Sequence, residues 1–358
     1  MDKVIKVAIA GYGRSGCDIH GAYFKTDPRF QVIAIADALE ERRQDAAKDF
    51  NCSVYASFEP MLEAGGFDLL INATPSKFHV SCSKMGLSHG FNVIGEKPSA
   101  PTLADFDAIT ALADQNNCQF LPYQNSRFYP FFIKMQEIIQ SGVLGKIICI
   151  RSNWSSFARR WDWQTRQDQL GGNLYNTGPH PVDQAIVLFG EGMPNVFCRM
   201  AAAHQGLGGD AENFCTLTLY GPGHPNIEVQ ISSLQAYPEG EMYNIQAEYG
   251  GLTGGPDGLK WKYFEPDKNP RPAFWKPWSD HRKYCSEQLN WIEKEWKFDN
   301  SESNSSGYKG LSAGIYNNYY DVLVHHAERI IKLDQVRRQV YTMEEAHKQN
   351  PLPKTVLK

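Results

Sequence analysis

One segment restricts the fold of this chain more than any other. The β-rich run Val4-Ile5-Lys6-Val7-Ala8-Ile9-Ala10 passes at once into Gly11-Tyr12-Gly13-Arg14-Ser15-Gly16, and a helical pattern follows through Phe24. A second apolar strand, Phe30 to Ala36, ends on Asp37. A glycine triplet by itself marks only a turn. After a strand, opening a helix, and with an acidic residue about 20 positions further on, it is the complete dinucleotide-binding fingerprint. In this arrangement Gly11 makes the tight turn, Gly13 lets the backbone approach a pyrophosphate, and Gly16 lets the helix pack closely on the sheet. Free N–H groups at the helix start, around Tyr12, Arg14 and Ser15, face the phosphate oxygens. Asp37 accepts hydrogen bonds from ribose hydroxyls and repels a 2′-phosphate, which favours NAD over NADP; Arg42 and Arg43 pull the other way. The alternative is a glycine turn in an α/β sheet that holds no nucleotide.

The pattern continues as a charged helix over Glu40–Phe50, a strand over Phe67–Ala73, a helix over His79–His89, a strand over Phe91–Ile94, a helix over Leu103–Asn116 and a strand over Cys118–Leu121. Strands alternating with helices of this length predict βαβ crossovers on a parallel sheet, and a Rossmann domain over residues 1–121. Two loops fall at carboxyl ends of its strands, where such sheets bind ligands: Thr74-Pro75 with His79, and Glu96-Lys97-Pro98.

Beyond residue 121 the texture changes. An amphipathic stretch over Phe131–Gln140 precedes β-rich runs at Ile147–Trp154, Asn195–Ala203, Glu212–Tyr220, Ile227–Leu234 and Tyr243–Tyr249. They predict a second, α+β domain over 122–358 with a large, mainly antiparallel open sheet, its C-terminal segment packing back on the first domain. The glycine-dense Gly250–Gly258 reads as a loop, Asn269–Pro277 as proline-rich irregular chain, Asn300–Gly307 as a polar Ser/Asn-rich segment, and Tyr316–Ile331 as a final helix. A net charge of −4 advertises no surface for nucleic acid. No apolar run is long enough for a membrane and no signal-peptide pattern follows Met-Asp-Lys. The 8 scattered cysteines show no metal-ligand spacing. A cytoplasmic chain with reduced thiols is expected, with no metal.

One segment of the second domain carries chemistry: Gly171-Gly172-Asn173-Leu174-Tyr175-Asn176-Thr177-Gly178-Pro179-His180-Pro181-Val182-Asp183. A proline near position 180 suits a first helical turn, and Gly190 a stop. His180 and Asp183 share a helix face. A histidine in a first turn meets the positive end of the helix dipole, which disfavours imidazolium and suits a general base. The alternative is a histidine that only caps the helix.

These motifs together resemble the glucose-fructose oxidoreductase / inositol dehydrogenase (Gfo/Idh/MocA) family: Gly11-x-Gly13-x-x-Gly16, Asp37, Thr74-Pro75 with His79, Glu96-Lys97-Pro98, Arg127, Gly171-Gly172 and Gly178-x-His180-x-x-Asp183. The resemblance covers most of the first 190 or so residues. It implies an NAD(P)-dependent enzyme that moves a hydride between a nicotinamide and a carbinol carbon of a sugar, cyclitol or related polyol. It implies a homodimer or homotetramer packed through the open sheet. Lys97 would reach the reacting hydroxyl and stabilise developing alkoxide charge, with Glu96 holding the lysine and Pro98 fixing the turn. One position departs from the pattern: many relatives carry an aspartate four residues before the histidine, and here it is Asn176. An amide can hydrogen-bond a hydroxyl but cannot accept its proton. The catalytic set is thus Lys97, His180 and Asn176, with Asp183 either orienting His180 or serving structure.

For the substrate side, Arg127 belongs to the family pattern, and Arg159, Arg160, Trp161 and Trp163 cluster just before Gly171. Aromatic faces and guanidinium forks suit a polyhydroxylated ring; the same residues would also serve a domain interface. Two other functions stay open. One is an NAD-using hydrolase or epimerase-like enzyme that regenerates its own cofactor. The other is a non-catalytic NAD or sugar sensor, to which Asn176 points.

Overall fold

The computed structural model describes residues 3–203, 208–237, 239–269, 278, 282, 287–298 and 308–354. The polar Asn300–Gly307, and all of the proline-rich Asn269–Pro277 but its first residue, lie outside the described residues. The first sheet holds β1 (Ile5–Ala10), β2 (Phe30–Ala36), β3 (Ser53–Tyr55), β4 (Leu69–Asn72), β5 (Asn92–Gly95) and β6 (Phe120–Pro122). Its order is β3-β2-β1-β4-β5-β6, with every neighbouring pair parallel. This is the doubly wound arrangement whose order reverses between β1 and β4, and a ligand crevice opens there. The strands read as continuous apolar runs because helices cover both faces: Val7, Ile9, Leu70, Ile71, Val93 and Ile94 are fully buried.

The second sheet has β7 (Ile147–Ser155), β8 (Asn195–Ala201), β9 (Phe214–Tyr220), β10 (Asn226–Ser232), β11 (Tyr243–Ala247), β12 (Gly250–Gly255), β13 (Gly258–Tyr263) and β14 (Ile292–Lys297). Their order is β14-β13-β12-β11-β7-β10-β9-β8. Among the described residues only the central β7–β10 pair is parallel. Alternation decides its faces. Ile227, Val229 and Ile231 of β10 point into a core shared with Phe132, Met135, Ile186 and Phe189 of the helices Pro130–Gln140 and Pro179–Phe189. The other face presents Arg151, Asn153, Thr216, Thr218, Glu228, Gln230 and Thr253 around an open depression.

Three sequence expectations change. Gly250–Gly258 is not a loop but two paired strands and their turn. Glycine suits it because a Cβ on Gly250 would lie 1.9 Å from the Lys262 carbonyl oxygen of the neighbouring strand. The C-terminal helix runs from Tyr308 to His325 and ends before Ile331. A further helix, Leu333–Gln349, follows it. Both return to the first domain. Tyr316, Tyr319 and Tyr320 are buried in the Rossmann core, where each such side chain contributes about 1.5–3 kcal/mol. The last helix spans both cores, with Val336 and Val340 in the first and Met343 and Ala346 in the second. Gln339 on that helix accepts from Gln124 at 2.8 Å and donates to the Pro179 carbonyl at 2.5 Å, joining the domains by polar contacts as well. Among the described residues no helix is long and apolar enough to cross a membrane.

Asp183, 0% exposed, sits in this junction. Its two oxygens accept from Arg127 Nε and Nη2, each at 2.7 Å. Arg127 Nη1 donates to Gln335 on the last helix. The pair is worth little over an apolar filling, but losing one partner strands a buried charge. Asp183→Ala is expected to cost about 3–5 kcal/mol in urea unfolding, with the simultaneous Asp183→Leu, Arg127→Met change much milder; equal losses in the two would refute this account.

Candidate active site

The crevice at the strand reversal opens into a cleft of about 370 Å³, lined by Gly11, Gly13, Arg14, Ser15, Asp37 and Thr74 on one side. Arg160, Trp163, Gln164, Tyr175 and Asn176 line the other. The glycines divide their work as the motif requires. A Cβ on Gly16 would lie 1.9 Å from the Gly11 oxygen, and one on Gly11, at φ +91°, would lie 2.4 Å from the Ala73 oxygen. Those two allow chain to pack on chain. Gly13 is different: an added Cβ would meet only the Arg42 guanidinium, at 3.3 Å. Its missing side chain leaves room on the cleft, as a pyrophosphate needs. Behind it the helix Ser15–Phe24 begins, its first turns wound as a π-helix over Ser15–Gly21. Asp37, 8% exposed, accepts from the Tyr12 N–H at 2.8 Å and the Leu39 N–H at 2.9 Å. Arg42 Nη1 stands 3.6 Å from it. The carboxylate is therefore fixed at the rim with lone pairs to spare, and these residues fit a dinucleotide.

The two strand-end loops are tied by His79, whose ring nitrogens face the Pro98 and Thr74 carbonyl oxygens, both at 2.8 Å. Burial lowers its pKa. Glu96 lies beneath the cleft, 5% exposed. It accepts from Ser15 Oγ at 3.0 Å and meets His20 Nε2 at 3.2 Å. Burial alone would raise its pKa, but His20, Lys97 and His79 together hold it down at about 2. It does not hold Lys97 as the motif suggested: it accepts the lysine's backbone N–H, at 3.1 Å. The Lys97 ammonium instead donates to the Asn176 backbone carbonyl at 2.8 Å, across the domain boundary. Burial lowers the Lys97 pKa, Glu96 opposes this, and Arg14 and Arg160 add to it.

His180 falls in the first turn of Pro179–Phe189, as expected. Its Nδ1 is buried with no hydrogen-bond partner among the described protein atoms. The ring stacks on Trp154 with centroids 6.1 Å apart. Burial and the nearby Lys97 charge bring its pKa down to about 3. The imidazole is neutral at any physiological pH. Asp183 does not orient it, since both carboxylate oxygens are taken by Arg127; the same pair commits the Arg127 guanidinium to structure. Arg160, paired with Asp162, and Trp163 line the cofactor cleft. Arg159 lines a smaller adjoining cavity with Asn173, Asn176 and Glu212. Trp161, 77% exposed, lies outside both linings. Sequence reading missed His20, Tyr316 and Glu212. His20 lies four residues beyond Gly16 on a recognisable helix, but its partners are distant in sequence.

With this geometry in hand, the comparisons with known proteins are direct. Residues 5–124 match the family described as an oxidoreductase family with an NAD-binding Rossmann fold, and residues 132–253 match the GFO/IDH/MocA C-terminal domain. The chain belongs to the Gfo/Idh/MocA oxidoreductase family. Its first domain is an NAD-binding Rossmann domain. A relative from Schizosaccharomyces pombe named as an uncharacterized oxidoreductase is 30% identical over 52% of this chain. The scyllo-inositol 2-dehydrogenase (NADP(+)) IolW of Bacillus subtilis is 27% identical, also over 52% of this chain. Each of these matches spans about half of the relative, 52% in both. Solved structures of the family align over nearly the whole length. The yvaA oxidoreductase of Bacillus subtilis has a TM-score of 0.79 at 19% identity, over 98% of this chain and 97% of that one. The WlbA dehydrogenase of Bordetella pertussis, solved with NADH and UDP-GlcNAcA, has 0.77 at 20% identity, over 100% and 99%. At such identities the likeness is one of fold.

The state of His180 has a measurable consequence. A group whose folded pKa lies below its unfolded value near 6.5 contributes stability that is present above pH 6.5 and lost as pH falls toward 3. His180→Gln is expected to remove about 2 kcal/mol of the stability that the native chain loses between pH 7.5 and 4.5. Urea titrations at both pH values check this; identical acid losses in the two proteins would show the imidazole titrating normally.

Proposed function

We propose that this chain is an NAD-dependent dehydrogenase of a carbinol carbon in a sugar, cyclitol or related polyol. The observation that carries this is the lysine at the domain boundary: an ammonium in the wall of the dinucleotide cleft, held at 2.8 Å by a carbonyl of the opposite domain. NAD supplies the hydride acceptor. Around it, Lys97 lowers the pKa of a hydroxyl placed against it and stabilises the alkoxide charge that grows as the hydride leaves. A neutral His180 accepts the hydroxyl proton; burial keeps it unprotonated but also makes it a weak base, so the transfer relies on Lys97 to make the hydroxyl acidic. The Asn176 side chain positions the hydroxyl without adding negative charge. Arg160 and Trp163, on the opposite wall, would meet the rest of the ring. Asp37 reads the ribose hydroxyls and favours NAD.

The experiment is an NAD-reduction screen over cyclitols, aldoses and sugar acids, with Lys97→Ala and Asp37→Ala beside the native protein. Lys97→Ala is expected to lower kcat by about a hundredfold or more while NAD affinity stays within a few-fold. Asp37→Ala is expected to weaken NAD more than NADP. A lysine variant that keeps most of its turnover, or native protein binding NADP at least as tightly as NAD in calorimetry, would overturn the corresponding part. Asn176 supports one second reading, a non-catalytic NAD or sugar sensor; tight NAD binding without turnover on any substrate would select it.

We also propose that the open face of the second sheet joins copies of this chain. It supports this that Thr216, Thr218, Gln230 and Thr253 form a polar, uncharged stripe flanked by Arg151 and Glu228, which pair at 2.9 Å. Sedimentation should give a dimer or tetramer, and Thr218→Arg should shift it toward monomer. A native monomer at micromolar concentration would refute the interface.

A further inference from the structure

Glu212 precedes β9 in the second domain and is 2% exposed. No step proposed above uses it. Its carboxyl Oε1 accepts the Leu174 N–H at 2.8 Å, and its backbone carbonyl accepts the Asn173 N–H at 2.9 Å. Those are the first residues of the one-turn helix Asn173–Asn176. The carboxyl also packs flat on Gly172, where an added Cβ would fall 2.2–2.5 Å from its atoms. That contact explains why the second glycine of the Gly-Gly pair has no side chain, beyond its φ of +104°. The turn closes with the Asn176 N–H on the Gly172 oxygen at 2.9 Å. Its last carbonyl, that of Asn176, is the one that holds Lys97 Nζ at 2.8 Å.

A turn of 4 residues, held at its start by Glu212, thus carries at its end the carbonyl that aims the lysine. We propose that Glu212 is a positioning residue for Lys97: by capping Asn173–Asn176 it fixes the Asn176 carbonyl, and so the place of the ammonium in the cleft. This rests on the reading of Lys97 as the group that acts on the substrate hydroxyl. Reach matters here more than charge. Burial pushes the Glu212 pKa up to about 7, with the Leu174 N–H pulling it back. An oxygen of the carboxyl can accept the Leu174 N–H whether the group is neutral or ionised. His347 Nε2 stands 4.0 Å from the second oxygen, and burial lowers the pKa of that histidine too, so it supplies little counter-charge.

Two mild substitutions separate reach from charge. Glu212→Gln keeps the length and the accepting oxygen. Glu212→Asp keeps the charge but draws the carboxyl back by one methylene. The proposal expects the glutamine variant to retain at least about a third of native kcat and the aspartate variant to lose about tenfold or more, both with NAD affinity within twofold. A second readout needs no turnover: acetylation of Lys97 by a water-soluble N-hydroxysuccinimide ester, followed by peptide mass spectrometry on the NAD-loaded protein. Releasing the ammonium from the Asn176 carbonyl should change its labelling rate at least threefold in Glu212→Asp and leave it unchanged in Glu212→Gln. If labelling separates the variants but native protein shows no dehydrogenase activity, the positioning contact stands and the reading of the lysine's chemistry falls. If the variants label alike, or the glutamine variant is the damaged one, Glu212 acts through its charge or only through stability, and the proposal is overturned.

Discussion

A single buried carboxylate organises the middle of this molecule. Glu96 directly follows β5, and it meets Ser15 and His20 on the helix that follows the glycine motif. His20 in turn meets the Tyr316 hydroxyl at 2.6 Å, on a helix almost 300 residues later in the chain. A buried carboxylate without partners costs several kcal/mol, so the contacts that Glu96 makes with Ser15 and His20 must form together with its burial. That requirement fixes three elements relative to one another: the phosphate-facing helix, the strand-end loop that carries Lys97, and the C-terminal helix. The cleft inherits its shape from this arrangement, because Gly13, Arg14 and Lys97 lie on the segments that Glu96 ties down.

The same logic repeats at the domain boundary. Arg127 and Asp183 make a buried ion pair, and Gln335 and Gln339 tie the last helix to Arg127, Gln124 and Pro179 beside it. Lys97 reaches across to a backbone carbonyl, not to a carboxylate. A backbone acceptor is permanent and neutral. It holds the ammonium in place without neutralising it, which leaves its charge available to a substrate oxygen. The ion pair a sequence would suggest, Glu96 with Lys97, would have spent that charge on structure.

How much of this was legible in the sequence follows from how local each signal is. The nucleotide cleft depends on Gly11, Gly13, Gly16 and Asp37, whose spacing is set by one βαβ unit, and the structure places them as the spacing implies. His180 in its first helical turn was legible for the same reason. The hairpin of β12 and β13 was not. Five glycines between positions 250 and 258 read as turn chemistry, yet Gly250 and Gly251 serve close strand contact. The helix Leu333–Gln349 did leave a signal: Val336, Val340 and Met343 recur at helical spacing. It was obscured by Arg338 and Gln339, which are buried although polar, because they hold the helix to Gly190, Gly192, Gln124 and Pro179, contacts distant in sequence that no local pattern contains. The partners of Glu96 and the grip of Glu212 on Asn173–Asn176 are hidden in the same way.

Asn176 takes on a different meaning in this setting. Around it stand Lys97, Arg14 and Arg160, all of which act on the Lys97 or His180 charge balance, and a histidine already held neutral. On the proposed reading, an aspartate at that position would add an opposite charge to the cleft that Lys97 also lines, and an opposite charge nearby favours imidazolium. The amide adds no such charge, and burial with the Lys97 charge leaves His180 unprotonated. In the proposed reaction the cost falls on the protonated histidine, which has no carboxylate to stabilise it once it has taken the hydroxyl proton. A site built this way has an acceptor that is always unprotonated and correspondingly weak, so the proposed transfer depends on Lys97 making the hydroxyl acidic enough to give its proton up.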